Sequence, residues 1–122
     1  ETIKKVLELV DNYPNIYGSI GIHPEEINDM NQDSLDFLEK SLNNKKIVAI
    51  GEIGLDYHYT KENIDIEKEY FIKQLELARK YNKPVVIHSR DAAFDTLEIL
   101  KNSTDNIRRK IQNDYCPVAL HL

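Results

Sequence analysis

The chain has 122 residues, of which 41% are hydrophobic and 30% are charged, and its net charge is -5. This is the composition of one globular domain, and no apolar run approaches the roughly 18 residues that a membrane-spanning helix needs. The acidic balance excludes a protein that holds nucleic acid on a broad basic face, because that mode sets many Lys and Arg side chains against phosphates. The single cysteine, Cys116, cannot form an intramolecular disulfide, so we expect a buried thiol and a cytoplasmic protein.

Helix and strand patterns alternate along the chain. Apolar residues at helical spacing predict helices over residues 1–12, over the segment of Leu35, Leu38 and Leu42, and over residues 66–81. A fourth helix is predicted over a segment with Phe94, Leu97 and Leu100, with Ile107 and Ile111 further on. We expect the second helix to be capped near Asp33 and the fourth at Asp91. Apolar runs predict strands over residues 16–22, 47–50, 85–87 and 117–121.

Each of the four apolar runs ends near a side chain that can bind a metal ion. These residues are His23, Glu52, His88 and His121. They recur every 29 to 36 positions, close to the roughly 31 residues per strand-helix unit of a (β/α)₈ barrel of about 250 residues. We expect His88 to lie in register with Glu52. Chance rarely produces such a recurrence, so it points to one shared site.

The fold class predicted from this repeat is α/β, in the form of a TIM (β/α)₈ barrel. The run Ile47-Val48-Ala49-Ile50 is continuous rather than alternating, which is typical of a parallel strand covered on both faces. Barrel enzymes build their sites at the carboxyl ends of such strands. An open doubly wound sheet has the same rhythm, but it binds its ligand at a glycine-rich first turn, and no such motif is present.

Glu52 is the residue that most needs an explanation, because it follows a fully apolar strand. A buried carboxylate must be paired, hydrogen-bonded or bound to a metal, although a Glu that caps a loop or pairs with a Lys fits the same segment. Gly51 and Gly54 flank it and let a backbone or ligand approach closely. Carboxylate and imidazole together form a ligand set for divalent metals, and one carboxylate can bridge the two ions of a hydrolytic site.

The two histidines nearest Glu52 have structural alternatives. His88 is a candidate metal ligand, but a core histidine bonded to a carbonyl gives the same pattern. His23 is a candidate site residue, and His23-Pro24 can equally end a strand and cap a loop.

Several residues near these strand ends are candidate substrate contacts. Arg90 can bind a phosphate through two parallel hydrogen bonds, or pair with a nearby acid. Asp56 can orient a ligand or cap a turn. The rings of Tyr57, His58 and Tyr59 can stack on bases or close the top layer of the barrel.

Three segments resemble the TatD-like family of metal-dependent deoxyribonucleases, which have a TIM-barrel fold. They are Gly21-Ile22-His23-Pro24, the segment from Gly51 to Tyr57, and the segment from Pro84 to Ala92, with Gln74-Leu75-Glu76-Leu77-Ala78 between the last two. The resemblance implies that Glu52 bridges two metal ions, that His88 binds the second, and that His121 is a further metal ligand. It implies divalent ions such as Mg, Mn or Zn as cofactors and DNA as the substrate.

The same resemblance implies that residues 1–122 are a partial TIM-barrel domain covering about strands two to five with their helices. The family's first strand carries a His-x-His pair and a late strand carries a metal-binding Asp, and both lie outside this sequence. Glu25 stands where many members have a second histidine after His-Pro. We therefore expect the chain to lack the first strand and the C-terminal half, and to be unstable and inactive by itself.

The sequence leads to a metal-dependent hydrolase of DNA phosphodiester bonds as the predicted function of the whole protein. Two alternatives stay open at this point. The same metals polarise carbonyl groups, so an amide or lactone hydrolase of the related barrel superfamily is one. The other is a half-barrel without catalysis that serves as a binding or assembly module. Oligomeric state is not predicted.

Overall fold

The chain forms one parallel sheet with helices between its strands. A computed structural model describes the backbone of residues 2–110 and 118–121 and the side chains of residues 2–103. Its elements are α1 (Thr2–Asn12), β1 (Gly18–Ile20), a 3₁₀ helix (Pro24–Asp29), α2 (Gln32–Ser41), β2 (Ile47–Asp56), α3 (Ile64–Lys80), β3 (Val85–Arg90), α4 (Ala93–Lys110) and β4 (Val118–His121).

The four strands lie in sequence order, and every neighbouring pair is parallel. A helix connects each strand to the next, which is how parallel neighbours must be joined. This arrangement is that of four consecutive strands of a TIM barrel, as the sequence predicted. The carboxyl ends of all four strands therefore share one edge of the sheet, where the predicted site residues lie.

The strand bounds differ from the sequence prediction in a way that matters for the site. β1 is shorter than predicted, since it covers only Gly18–Ile20, while β2 and β3 continue past their apolar runs to Asp56 and Arg90. Glu52 and His88 therefore lie inside strands rather than after them. Polar residues continue these strands because the sheet ladder depends on backbone groups, whereas the prediction followed only apolar side chains.

The helices begin at caps that the sequence prediction misplaced. Asn31, and not Asp33, caps α2, since Asn31 accepts a hydrogen bond from the Ser34 amide in a capping box. α4 begins at Ala93. Asp91 does not cap this helix: it has a φ of 53°, in the left-handed region, and its carboxylate contacts His58 at 3.0 Å.

The packing face of α4 also differs from the prediction. Phe94 is 78% exposed and Leu97 is 63% exposed, so two of the three residues predicted to face the core do not. Thr96 and Ile99 are buried instead.

The core lies between the sheet and the helices. Along β3 the burial alternates, with Val85, Ile87 and Ser89 buried and the intervening residues partly exposed. The helix-facing side is thus the dry one, and the other side, which carries His88 and Arg90, is more open. Helices α1, α2 and α3 also contribute apolar residues to this core, including Val10, Leu35, Leu38, Phe71, Leu75 and Ala78.

Gly54 allows β2 to lie close to β3, as the sequence suggested. It has a φ of +142°, and a Cβ added there would lie 2.0 Å from the carbonyl oxygen of His88. No side chain fits at this position, so the glycine sets the separation of the two strands that carry Glu52 and His88.

Within the described residues, no helix is both long enough and apolar enough to cross a membrane.

Candidate metal centre

Glu52 and His88 come together on the open side of the sheet. The Nδ1 atom of His88 lies 3.9 Å from Oε2 of Glu52. The register between β2 and β3 shifts at Glu52: Gly51 pairs with Val86 and Ile53 with Ile87, which leaves Glu52 as an extra residue in the ladder. Such a bulge redirects a side chain. His88 pairs in register with Gly54, so the prediction that it lies in register with Glu52 was wrong by two positions.

The other nitrogen of His88 is held by Asp56, the last residue of β2. His88 Nε2 lies 2.9 Å from Asp56 Oδ2. Burial raises the pKa of the Asp56 carboxyl, but hydrogen bonds from Arg90, His88 and the His58 amide outweigh this effect and lower the pKa to about 2. Asp56 is therefore a carboxylate at neutral pH, and it can only accept the hydrogen bond from His88.

Arg90 is paired with carboxylates of the chain itself. Its Nε atom donates to both oxygens of Asp56, at 3.2 and 3.0 Å, and its Nη2 atom lies 2.8 Å from Asp56 Oδ2 and 2.9 Å from Glu25 Oε1. The guanidinium also lies over the Tyr59 ring, 4.7 Å from its centroid. The alternative that Arg90 pairs with an acid is thus confirmed. Its partners are Asp56 and Glu25, and not the acids that follow it in the sequence, Asp91, Asp95 and Glu98.

His23 lies beside His88 and caps the 3₁₀ helix. The two ring centroids are 4.6 Å apart, and His23 Nδ1 accepts a hydrogen bond from the Glu25 amide at 3.1 Å. Burial and the neighbouring His88 lower the pKa of His23, and they outweigh the opposite effect of Glu25 and Glu52. His23 is therefore both a loop cap and a neighbour of the Glu52 and His88 pair.

Tyr57 follows β2 but its hydroxyl points to α4. The hydroxyl donates a hydrogen bond of 2.8 Å to Asp95, and burial together with this carboxylate raises the pKa of Tyr57. Of the three rings in this loop, Tyr59 is the most exposed, while His58 pairs with Asp91. The predicted role of Tyr57 as a substrate contact stays a prediction, and the same holds for His23 and Arg90.

Two buried polar residues of α3 support the site, and the sequence analysis assigned neither of them a role. Glu67 accepts a hydrogen bond from the Asp56 amide at 2.7 Å, and burial raises its pKa. Gln74 accepts from the Ile22 amide at 2.7 Å and donates to the Ile22 carbonyl at 3.2 Å. Both residues share the apolar face of α3 with Phe71 and Leu75, and polar residues on such a face were the available signal.

His121 is the last residue of β4, and its backbone pairs in register with His88. Its side chain, like that of Ile107, lies outside the described residues, and Cys116 and Ile111 lie outside them entirely. Among the side chains of residues 2–103, no group of three or more His, Cys, Asp or Glu residues is placed to hold a metal ion.

Glu52 and His88 nevertheless fit a divalent ion as two of its ligands. Bonds from zinc to oxygen or nitrogen are about 2.0 to 2.2 Å long, so two ligands of one ion lie within about 4 Å of each other. The 3.9 Å between Glu52 and His88 meets this limit. A carboxylate and a neutral imidazole are also the donor types that Zn, Mn and Fe share.

Comparison with known proteins identifies the family of this chain. The sequence model of the TatD-related DNase family matches residues 1–118. The chain belongs to this family. It is 44% identical over 100 residues to YabD of Bacillus subtilis, an uncharacterized metal-dependent hydrolase, and the match covers 82% of this chain and 39% of YabD.

Solved structures of the family share the fold. The crystal structure of YjjV, a TatD homologue from Escherichia coli K12, has a TM-score of 0.77 and 33% identity, over 82% of this chain and 39% of YjjV. A TatD family hydrolase from Entamoeba histolytica has a TM-score of 0.71 and 31% identity, over 85% of this chain and 38% of that protein. The chain thus spans about two-fifths of the length of these relatives.

Proposed function

We propose that the protein is a metal-dependent hydrolase that cleaves phosphodiester bonds of DNA. The observation that carries the proposal is the approach of Glu52 to His88, 3.9 Å apart at the carboxyl edge of a parallel sheet. In a TIM barrel this edge is where catalytic residues gather. Membership of the TatD-related DNase family supports DNA as the substrate.

The residues have distinct parts in this proposal. Two divalent ions, drawn from Mg, Mn or Zn, would supply an activated water and stabilise charge on the leaving oxygen. Glu52, His88 and His121 would hold these ions.

His23, Arg90 and Tyr57 are the proposed substrate contacts. His23 lies against His88, and Arg90 lies two residues beyond it on the same face of β3. Arg90 is engaged by Asp56 and Glu25, so a phosphate would have to compete with these carboxylates or share the guanidinium with them. Tyr57 would contribute the face of its ring, since its hydroxyl is used by Asp95.

We extend the proposal to the whole domain. Residues 1–122 form part of a TIM-barrel domain, and the remaining barrel segments supply the other metal ligands. This fits the 39% of YabD that the chain spans. By itself the chain would be inactive, and the complete protein would act in the cytoplasm with DNA as its substrate.

The test uses the natural polypeptide that contains residues 1–122, purified without metal. We expect cleavage of single-stranded DNA with Mn or Mg added and none with a chelator. Glu52→Gln removes a charged ligand oxygen and should lower the cleavage rate by at least about 100-fold. Glu8→Gln removes the same charge from the exposed face of α1 and should leave the rate unchanged.

The outcome also separates the alternatives. Metal-dependent hydrolysis of amides or lactones, with DNA left intact, would replace the nuclease proposal by a carbonyl hydrolase. Metal binding with no hydrolysis of any of these substrates would favour a binding module. Full DNA cleavage by Glu52→Gln would contradict the role given to Glu52.

A further inference from the structure

Asp56 is a buried carboxylate whose oxygens contact three parts of the chain. It is 5% exposed, and its side chain accepts hydrogen bonds from the His88 ring, the Arg90 guanidinium and the His58 amide. Every buried side-chain nitrogen or oxygen among the described residues has such a partner. Because these internal hydrogen bonds occupy the oxygens of Asp56, the carboxylate is not available to a substrate.

The contact with His88 selects one form of the imidazole. A neutral imidazole has one N–H group, and the other nitrogen carries a lone pair. Because Asp56 is an acceptor only, the N–H must be on Nε2, which lies 2.9 Å from the carboxylate. The lone pair is then on Nδ1, the nitrogen that faces Glu52.

Asp56 is itself held from two directions. The Nε atom of Arg90 donates to both oxygens of Asp56, at 3.2 and 3.0 Å, and the Nη2 atom lies 2.8 Å from Oδ2, so the carboxylate is restrained. Glu67 accepts from the Asp56 backbone amide at 2.7 Å, and Glu67 is only 2% exposed. The strand end and the carboxylate are thus both restrained, as a group that orients another residue requires.

We infer that Asp56 is a positioning residue that presents Nδ1 of His88 to the metal site, and that Arg90 serves this contact by fixing the Asp56 carboxylate. The inference rests on the proposed function, in which Glu52 and His88 are metal ligands. Carboxylates that accept the second N–H of a metal-binding histidine fix its orientation and raise its basicity. Asp56 acts through His88 and touches neither metal nor substrate.

The role assigned to Arg90 here differs from a substrate contact in what it affects. A guanidinium that binds substrate phosphate changes KM when it is replaced, whereas one that fixes Asp56 changes the affinity for metal. Arg90→Lys keeps the positive charge but cannot donate from two adjacent nitrogens.

The experiment measures Mn binding to the metal-free natural polypeptide by titration calorimetry. Asp56→Asn keeps the size of the side chain and removes its charge, and we expect its affinity for Mn to fall about 10- to 100-fold. Arg90→Lys should lose affinity for Mn to a smaller extent, and this loss is measured without DNA, so it is independent of any contact between Arg90 and the substrate. Asp36→Asn, on the exposed face of α2, is the matched control and should bind Mn like the wild type.

A second readout needs no metal. Ring ¹⁵N chemical shifts of His88 in the metal-free protein, at a pH where imidazole is neutral, should show the Nε2–H form in the wild type. In Asp56→Asn the two neutral forms should be mixed, since an amide can accept from or donate to Nε2. If Asp56→Asn does not fold, as judged by circular dichroism, Arg90→Lys is measured in both assays instead.

The outcomes separate this inference from the proposed function. If Glu52→Gln and His88→Ala both bind Mn like the wild type, the metal site itself is wrongly assigned and both proposals fail. If these two variants lose Mn while Asp56→Asn and Arg90→Lys match Asp36→Asn, only the positioning role is overturned. An Nδ1–H form of His88 in the wild type would overturn it as well.

Discussion

Gln74 makes two hydrogen bonds to the backbone of Ile22, which lies 52 residues earlier in the chain. Its side chain accepts from the Ile22 amide at 2.7 Å and donates to the Ile22 carbonyl at 3.2 Å. Ile22 lies beyond the end of β1, where no strand pairing serves its backbone. The residue that follows is His23, so an α3 side chain sets the path of the chain into the site.

Replacing Gln74 should therefore destabilise the protein strongly. Gln74 is 1% exposed, and Gln74→Leu would leave a buried amide and a buried carbonyl without partners. Each such group costs about 1 to 3 kcal/mol, so the free energy of unfolding should fall by about 2 to 6 kcal/mol in urea titrations. Gln32→Leu, which removes an exposed contact with Asp36, should cost far less. Equal losses in the two variants would contradict this account.

Gly54→Ala should be poorly tolerated. Its Cβ would lie 2.0 Å from the His88 carbonyl oxygen at a φ of +142°, and neither β2 nor β3 can move without breaking their ladder. We expect a loss of at least about 3 kcal/mol in the free energy of unfolding. Gly21→Ala is the control, because its Cβ would meet an Ile53 side-chain atom at 3.0 Å and the Gly51 backbone at 3.1 Å, a far smaller overlap, and its φ is not positive. A Gly54→Ala protein as stable as Gly21→Ala would exclude the close approach of the strands.

The lowered pKa of Asp56 predicts that the protein loses stability in acid. Its pKa is about 2 in the folded protein against 3.8 ordinarily, so the unfolded state binds this proton more readily. The stabilisation is complete above the pKa that Asp56 has in the unfolded chain. It is lost as the pH falls through the lower pKa that Asp56 has in the folded protein. The shift corresponds to about 2 kcal/mol.

Urea unfolding between about pH 5 and pH 2, with a chelator present, measures this loss. Over that range the free energy of unfolding of the wild type should fall by about 2 kcal/mol more than that of Asp56→Asn. Asp36→Asn should keep the wild-type dependence. Parallel pH profiles for the wild type and Asp56→Asn would show that Asp56 has no lowered pKa.

Tyr57 offers a test that separates its ring from its hydroxyl. Tyr57→Phe removes the 2.8 Å hydrogen bond to Asp95 and should lower the free energy of unfolding by about 0.5 to 1.5 kcal/mol without changing KM for DNA. Tyr57→Leu also removes the ring, and a lost stacking contact should raise KM at least about fivefold. Tyr13→Leu, at an exposed position one residue beyond α1, is the control. An unchanged KM for Tyr57→Leu would remove Tyr57 from the substrate contacts.

The sequence alone determined the parallel βα order and the class of site. The apolar runs and helical spacings fix which segments form strands and helices, since periodicity reflects burial directly. The recurrence of His23, Glu52, His88 and His121 at the spacing of βα units then places these residues at one edge, because parallel strands share a direction. Residues matching the TatD-like family led to the correct family.

Only the tertiary structure decided which atoms meet. The bulge at Glu52, the pairing of Asp56 with Arg90 and His88, and the contacts of Glu67 and Gln74 from α3 each join residues far apart in the chain. Such contacts depend on strand register and helix rotation. A shift of one residue moves a strand side chain to the opposite face of the sheet, and it turns a helix side chain by about 100°. The sequence therefore predicted the candidate metal ligands, and the packing of α3 and β3 against β2 determined which side chains contact them.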